Sequence, residues 1–458
     1  MSKVYILALL LSSFSYAQIE GDSFGAEYKF NPDNIPCLTP EAKAQIKIEL
    51  RLSIADLMQQ GKLTTQKSSQ AIPRFIWPVK AKSDSGFKDV WAISNYVDHN
   101  KNYPNKTQDY NCGARTYDTA SGYNHQGTDM YTWPFTWYQF QHNIGEVIAA
   151  APGTIIYKHD GEFDMSCSFN KNRWNAIYIR HVDGSTAWYG HLKRGSLTTK
   201  KKGESVDEGE FLGVIGSSGN STGPHLHFEV YDKDAQLIDP YSGACSSDTS
   251  WWKDQPDYYQ PGINAVFLHN AVPNFKNCPT PETPNIVEKF KPNTSVFTAT
   301  YYKDQIRGTT ANYKLVKPNG IVHNTWSKIF ENTWSSSYWY WTWNDLSDIG
   351  IWTFESSYKG QIVTKTFEIT NSLAIEDYRL DKINTVPNPF ENQLKLIGFN
   401  LNPNDYEMSV YNQLGQKVFS ENKFSENLNL TFLKKGMYFL KITNKADQGF
   451  KTFTLLKK

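Results

Sequence analysis

Gly223-Pro224-His225-Leu226-His227-Phe228-Glu229-Val230 decides how this chain is read. Residues two apart on a strand point to the same face. Phe228 and Val230 can pack inward, which leaves His225 and His227 side by side over one spot. About a hundred residues earlier stands His125-Gln126-Gly127-Thr128-Asp129. Two imidazoles and a carboxylate suit a zinc shell of three protein ligands with the fourth position open. His125, Asp129 and His227 meet that demand, and Gly127 is expected to turn the backbone so that His125 and Asp129 face one point. His225 then lies beside the metal as a proton carrier. Ala187-Trp188-Tyr189-Gly190-His191-Leu192 follows a hairpin signal and can bring His191 to the same sheet face.

Outward from these segments the pattern is mainly β. Aromatic residues make up 15% of the 458 residues, which favours β-structure with broad ring packing. Net charge is +1, from 47 basic and 46 acidic residues, which argues against nucleic acid or an anionic membrane surface as the main partner. Lys3, the apolar run Val4 to Leu11 and Ser15-Tyr16-Ala17 read as a signal peptide over 1–17. No transmembrane segment is expected elsewhere. Residues 18–75 form a leader with one helix, capped by Thr39, started by Pro40 and ended before Gly61. The leader is either a propeptide covering the site or a packing helix of the mature fold. Residues 76–245 carry short strands and the chemical residues. An irregular linker is expected over 246–282, an immunoglobulin-like β-sandwich over 283–371 and a small β-domain over 383–458.

Five cysteines follow the signal segment: Cys37, Cys112, Cys167, Cys245 and Cys278. Export favours disulfides, and an odd number leaves one cysteine over. Proximity in sequence pairs Cys112 with Cys167 and Cys245 with Cys278. The remaining histidines (His99, His142, His159, His181, His269 and His323) read as packed or surface residues. Gly219-Asn220-Ser221-Thr222-Gly223 fits a serine-hydrolase pattern, but Pro224 and a strand follow where a helix is required. The cluster Trp334 to Trp343 reads as sandwich packing before sugar stacking.

The set His125, Asp129, Tyr189-Gly190-His191-Leu192 and Gly223 to Glu229 resembles the lysostaphin-like (LytM/lysostaphin-type) zinc endopeptidases in order and spacing. The resemblance covers roughly residues 90–245. It implies an antiparallel β-sheet zinc peptidase core with Zn²⁺ held by His125, Asp129 and His227, and with His191 and His225 catalytic. It implies peptidoglycan cross-links or glycine-rich peptides as substrate. The aromatic stretch Met130 to Asn143 departs from the family and is expected to reshape the substrate groove. Alternatives are an extracellular protease acting on structural proteins such as elastin, and a non-catalytic wall-binding surface protein. Val386-Pro387-Asn388-Pro389, Leu414-Gly415-Gln416 and Gly436-Met437-Tyr438 are similar to the C-terminal sorting domain of the type IX (Por) secretion system. That likeness implies export through the periplasm and outer membrane of a Bacteroidetes-type bacterium, with the type IX machinery as partner, to the cell surface or beyond.

Overall fold

In the computed structural model, residues 23–30, 34–63, 71–246, 249–371, 380, 383–398, 401–445 and 449–458 are described. The expected signal peptide lies outside them. Two compact units divide at Ile369 and Thr370. Among the described residues, no helix is long and apolar enough to cross a membrane.

The first unit is built on a large antiparallel sheet. Its strands run in the order Trp91–Asn95, Thr128–Thr132, His225–Tyr231, Thr186–Gly190, Ala176–Arg180, Gly153–His159 and Ser205–Val206, with Leu237–Ile238 paired to Tyr231 and Val230. The His225–Tyr231 strand is central and wholly buried. Its alternation sends Leu226, Phe228 and Val230 into a core with Tyr189, Trp252 and Phe75. The opposite face carries His225, His227, Glu229 and Tyr231. A second sheet of Val79–Ala81, Gly145–Ile148 and Phe211–Val214 adds Val79, Val147 and Leu212 to the same core.

Downstream, two sheets form a β-sandwich. One comprises Trp334–Trp343, Val296–Gln305 and Gly262–His269; the other comprises Lys289–Phe290, Gln361–Ile369, Gly350–Tyr358, Thr310–Val316 and Val322–Ile329. Trp326, Trp341, Trp343 and Phe354 fill the space between them. The aromatic cluster is therefore largely sandwich packing. Gly262–His269 corrects the expected linker over 246–282. It pairs with Val296–Gln305 through most of its length, and its Ala265 and Phe267 join the core beneath the large sheet. Trp133 and Phe135 are fully buried beside Tyr301 and Phe275. That part of the aromatic stretch thus packs the core of the large sheet against the sandwich instead of lining a groove.

The cysteine pairing also departs from expectation. Cys112 joins Cys245, and Cys167 joins Cys278, across 133 and 111 residues. Closeness in sequence fails as a guide because antiparallel strands bring distant loops together. Cys37 is left free and buried.

The leader helix spans Pro40–Gln59, with Thr39 Oγ1 accepting from the Ala42 amide at 3.1 Å and Gly61 taking up positive φ beyond its end. Ile46, Leu50 and Leu57 pack on Ile156, Ala176, Tyr178, Trp188 and Tyr231. Ahead of it, Ser23–Glu27 adds an antiparallel edge strand to Trp334–Trp343.

In the second unit, Asn384–Val386, Gln393–Ile397 and Asn427–Asn429 form one sheet. Lys417–Glu421, Tyr406–Asn412, Gly436–Asn444 and Phe450–Lys457 form the other. Leu394, Met408, Val410, Leu440 and Ile442 supply its core.

Candidate metal centre

Strand register assembles the centre. His227 pairs directly with Asp129 on one side and with Gly190 on the other. His125 precedes the Asp129 strand, and His191 follows Gly190 with φ at 60°. That left-handed turn is costly for a histidine, and it ends the strand beside the catalytic face. His125, His191 and His227 are fully buried, and Asp129 and His225 nearly so.

Each histidine but His227 commits Nδ1 to a backbone carbonyl. His125 Nδ1 lies 2.7 Å from Tyr96 O, His191 Nδ1 2.6 Å from Ser218 O, and His225 Nδ1 2.8 Å from Gly223 O. In the neutral ring Nδ1 then carries the proton and Nε2 is the nitrogen left to offer. His227 is oriented the other way. Its Nδ1 lies 2.7 Å from Asp129 Oδ1, and its Nε2 donates to Glu229 Oε1 at 2.9 Å. A carboxylate behind a ligating imidazole fixes ring and tautomer. Glu229 is held in turn by the Tyr231 hydroxyl and by Lys43 Nζ at 3.0 Å. Asn95 Nδ2 donates to Asp129 Oδ2 at 3.2 Å.

Gly127 acts differently from its expected role, because its φ is not positive. A Cβ there would lie 2.7 Å from His227 Nε2 and 2.8 Å from Phe228 O. The residue is glycine because the ligand ring lies against its backbone. Gly190 is similar: a Cβ would meet Trp174 Cζ3 at 2.6 Å, and Trp174 stands edge-on to His191 at 5.0 Å.

Whether these residues fit a divalent metal can be tested on the donors. One donor atom each from Cys37, His125, Asp129 and His227 lies within 4.8 Å of the others. His125 Nε2 is 2.9 Å from Asp129 Oδ2 yet outside hydrogen-bond geometry, so it is buried without a partner. His125 Nε2 and His227 Nδ1 both converge on the Asp129 carboxylate, at 2.9 and 2.7 Å, and two nitrogens with a carboxylate oxygen are donor types that a zinc shell uses. The charge balance agrees. Burial pushes the Asp129 carboxyl up, but His125 and His227 outweigh it and hold it well below the usual carboxylate range. Burial pulls His125 down, but Asp129 outweighs it and raises it. Glu229 is likewise lowered to about 2, as Lys43 and His227 overcome burial. Cation-seeking carboxylates surround the centre.

His191 and His225 stand next to it, their rings 4.3 Å apart. His191 Nε2 is buried and unpartnered. Burial, reinforced by His225, lowers its pKa, so the ring is neutral near pH 7 and accepts a proton at Nε2. The structure thus brings together all five residues singled out from the sequence. It adds Cys37, Glu229, Lys43 and Asn95, which sequence reasoning missed. The odd cysteine count was the only signal for Cys37. Ser221 is buried, with Oγ bonded to Ser217 Oγ and Gly223 O, and offers no nucleophile.

Residues 136–240 match Peptidase family M23, and residues 384–455 match the Secretion system C-terminal sorting domain. The chain carries a peptidase family M23 domain.

The M23 match includes His191, His225 and His227 and begins just after Asp129. Over 92 residues the chain is 38% identical to Peptidoglycan DD-endopeptidase ShyC of Vibrio cholerae serotype O1, covering 20% of each chain. Over 110 residues it is 31% identical to Glycyl-glycine endopeptidase ALE-1 of Staphylococcus capitis, covering 24% of this chain and 25% of that one. The chain therefore spans about a fifth to a quarter of the length of these relatives. Among solved structures it is similar to the catalytic domain of the antimicrobial peptidase lysostaphin from Staphylococcus simulans. That match has 26% identity over 27% of this chain and 83% of that one, with a TM-score of 0.21.

Proposed function

We propose that this chain is a secreted zinc metalloendopeptidase that hydrolyses peptide cross-links of peptidoglycan or glycine-rich peptides. The observation that carries the reading is the buried convergence of His125, Asp129 and His227, with the His191 ring 5.9 Å from that of His227 and 4.3 Å from that of His225. Two nitrogens and one carboxylate oxygen suit zinc, with a fourth position for reaction. Bound zinc would supply a Lewis acid for the peptide carbonyl and acidify water. The chain's own residues do the rest. His191 and His225 bond backbone carbonyls through Nδ1 and leave Nε2 for the reaction, so they would take up the proton released on attack and return it to the leaving amine. The imidazolium so formed is steadied by the carbonyls of Ser218 and Gly223, and it supports the oxyanion. Glu229 keeps His227 Nδ1 turned to the metal.

The substrate class is supported by relatives named for peptidoglycan and for glycyl-glycine cleavage. The sorting-domain match supports type IX export to the cell surface or the medium. Full chain, before and after limited proteolysis of its N-terminal segment, should be incubated with purified peptidoglycan and with a glycine-rich protein. Mass analysis should then find peptide fragments that vanish with chelator and return with zinc. Turnover indifferent to chelator overturns the metal mechanism. Binding to wall without any fragment favours a non-catalytic surface protein.

A further inference from the structure

The N-terminal segment enters the centre just described. We propose that Cys37 is a fourth, displaceable donor to the metal, which keeps the site closed while the segment around it lies on the catalytic face. The inference rests on the metallopeptidase reading above.

Geometry places the sulfur. Cys37 Sγ is 3.4 Å from His227 Nδ1 and 3.5 Å from the Tyr117 hydroxyl. Its donor atom lies within 4.8 Å of those of His125, Asp129 and His227, and also within 4.8 Å of those of His191 and His225. Cys37 alone belongs to both groups. It therefore occupies the space between the ligands and the proton-handling imidazoles, where a scissile carbonyl must enter. A second observation is independent of the cysteine. The Nε2 atoms of His125 and His191 are buried and unpartnered, and their Nδ1 atoms are committed elsewhere. Those two Nε2 atoms are the donors left to these rings, and one donor atom of each ring lies within 4.8 Å of the sulfur.

The flanking residues hold Cys37 there. Upstream, Phe30 stacks on Tyr131 at 4.6 Å and meets His225 edge-on at 5.8 Å. It lies against Gly223, where a Cβ would come within 2.9 Å of its ring. Downstream, the Pro40–Gln59 helix covers Tyr178, Trp188 and Tyr231 on the face that bears His227 and Glu229. Its Lys43 pairs with Glu229, the carboxylate that orients His227. Phe30, Cys37 and the Pro40–Gln59 helix therefore all lie against the face that bears the histidines.

The chemistry follows from the donor set. Two imidazoles, a carboxylate and a thiolate give zinc four protein ligands, the closed arrangement of structural sites. The thiol gives up its proton to solvent on binding. Departure of the segment removes one ligand and leaves three, the arrangement of catalytic sites. The other four cysteines are paired in disulfides, so Cys37 is available as a thiol.

The test uses full-length chain, stripped of metal and reloaded with zinc or cobalt(II). Zinc loading should slow alkylation of the single free thiol by about tenfold or more. The cobalt form should show a near-ultraviolet thiolate-to-cobalt band, absent from Cys37→Ala that still binds one cobalt. Cys37→Ala should hydrolyse peptide at least about tenfold faster than the unaltered chain. Equal alkylation rates with and without zinc, or cobalt bound without the thiolate band, overturn the role of Cys37 and leave the metal centre standing. Turnover of Cys37→Ala equal to the unaltered chain overturns the closing role. If neither form binds metal, the underlying reading fails as well. The alkylation and cobalt measurements on unaltered chain decide the matter should Cys37→Ala not fold.

Discussion

Two kinds of histidine share the centre, and removing them should have different consequences. Under the proposed reading His227 and Asp129 hold the metal, while His191 and His225 handle the proton. Asp129→Ala should abolish stoichiometric metal binding together with activity. His191→Ala should retain the metal, as measured by atomic absorption after dialysis, yet lose about 10²–10⁴-fold in kcat. Metal lost equally from both variants would contradict the assignment. Gly127→Ala is a sharper probe, since its methyl would press on the His227 ring. It should weaken metal affinity by about 10–100-fold, as displacement of a supporting contact does, without lowering thermal stability to the same degree. The clustering of the five site residues was legible because a two-residue spacing on a strand fixes a shared face. The role of Gly127 was not legible, because close approach of a ring and a left-handed turn leave the same letter in the sequence.

At the scale of elements, the leader helix was readable from its cap, its proline and its apolar spacing. What it covers was not, because an apolar stripe does not name its partner. Leu57 is fully buried on this helix, and Leu57→Ala should cost about 2–5 kcal/mol of local stability. Hydrogen exchange across Pro40–Gln59 should speed up well before the central sheet is affected. Uniform acceleration over the first unit would show instead that helix and sheet unfold together. The disulfides close loops of 133 and 111 residues. Replacing either pair with alanine should lower unfolding free energy by about 2–5 kcal/mol, read from denaturant midpoints. Their pairing eluded the sequence because contacts between strands are ordered by the sheet, not by the chain.

Across the whole molecule, catalytic core and sandwich meet around His269, whose Nδ1 donates to Pro284 O while Nε2 accepts from the Tyr301 hydroxyl. Burial lowers its pKa from 6.5 to about 4. The unfolded chain therefore takes the proton first, and this stabilisation is complete above about pH 6.5 and lost as pH falls toward about 4. Between pH 7 and pH 5 it should amount to about 2 kcal/mol. His269→Gln should flatten that part of the pH dependence of urea unfolding; an unchanged slope would place the titration elsewhere. Sequence alone determined the β-rich character, the histidines and aspartate that cluster on one sheet face, the aromatic sandwich and the terminal sorting segment. Each of these is a local periodicity or a short motif, and strand alternation converts such patterns directly into faces. Only tertiary structure decided that Gly262–His269 belongs to a sheet, that the disulfides cross, and that Cys37 lies against His227. These depend on which buried surfaces meet, and spacing along the chain does not encode the choice between equally apolar partners.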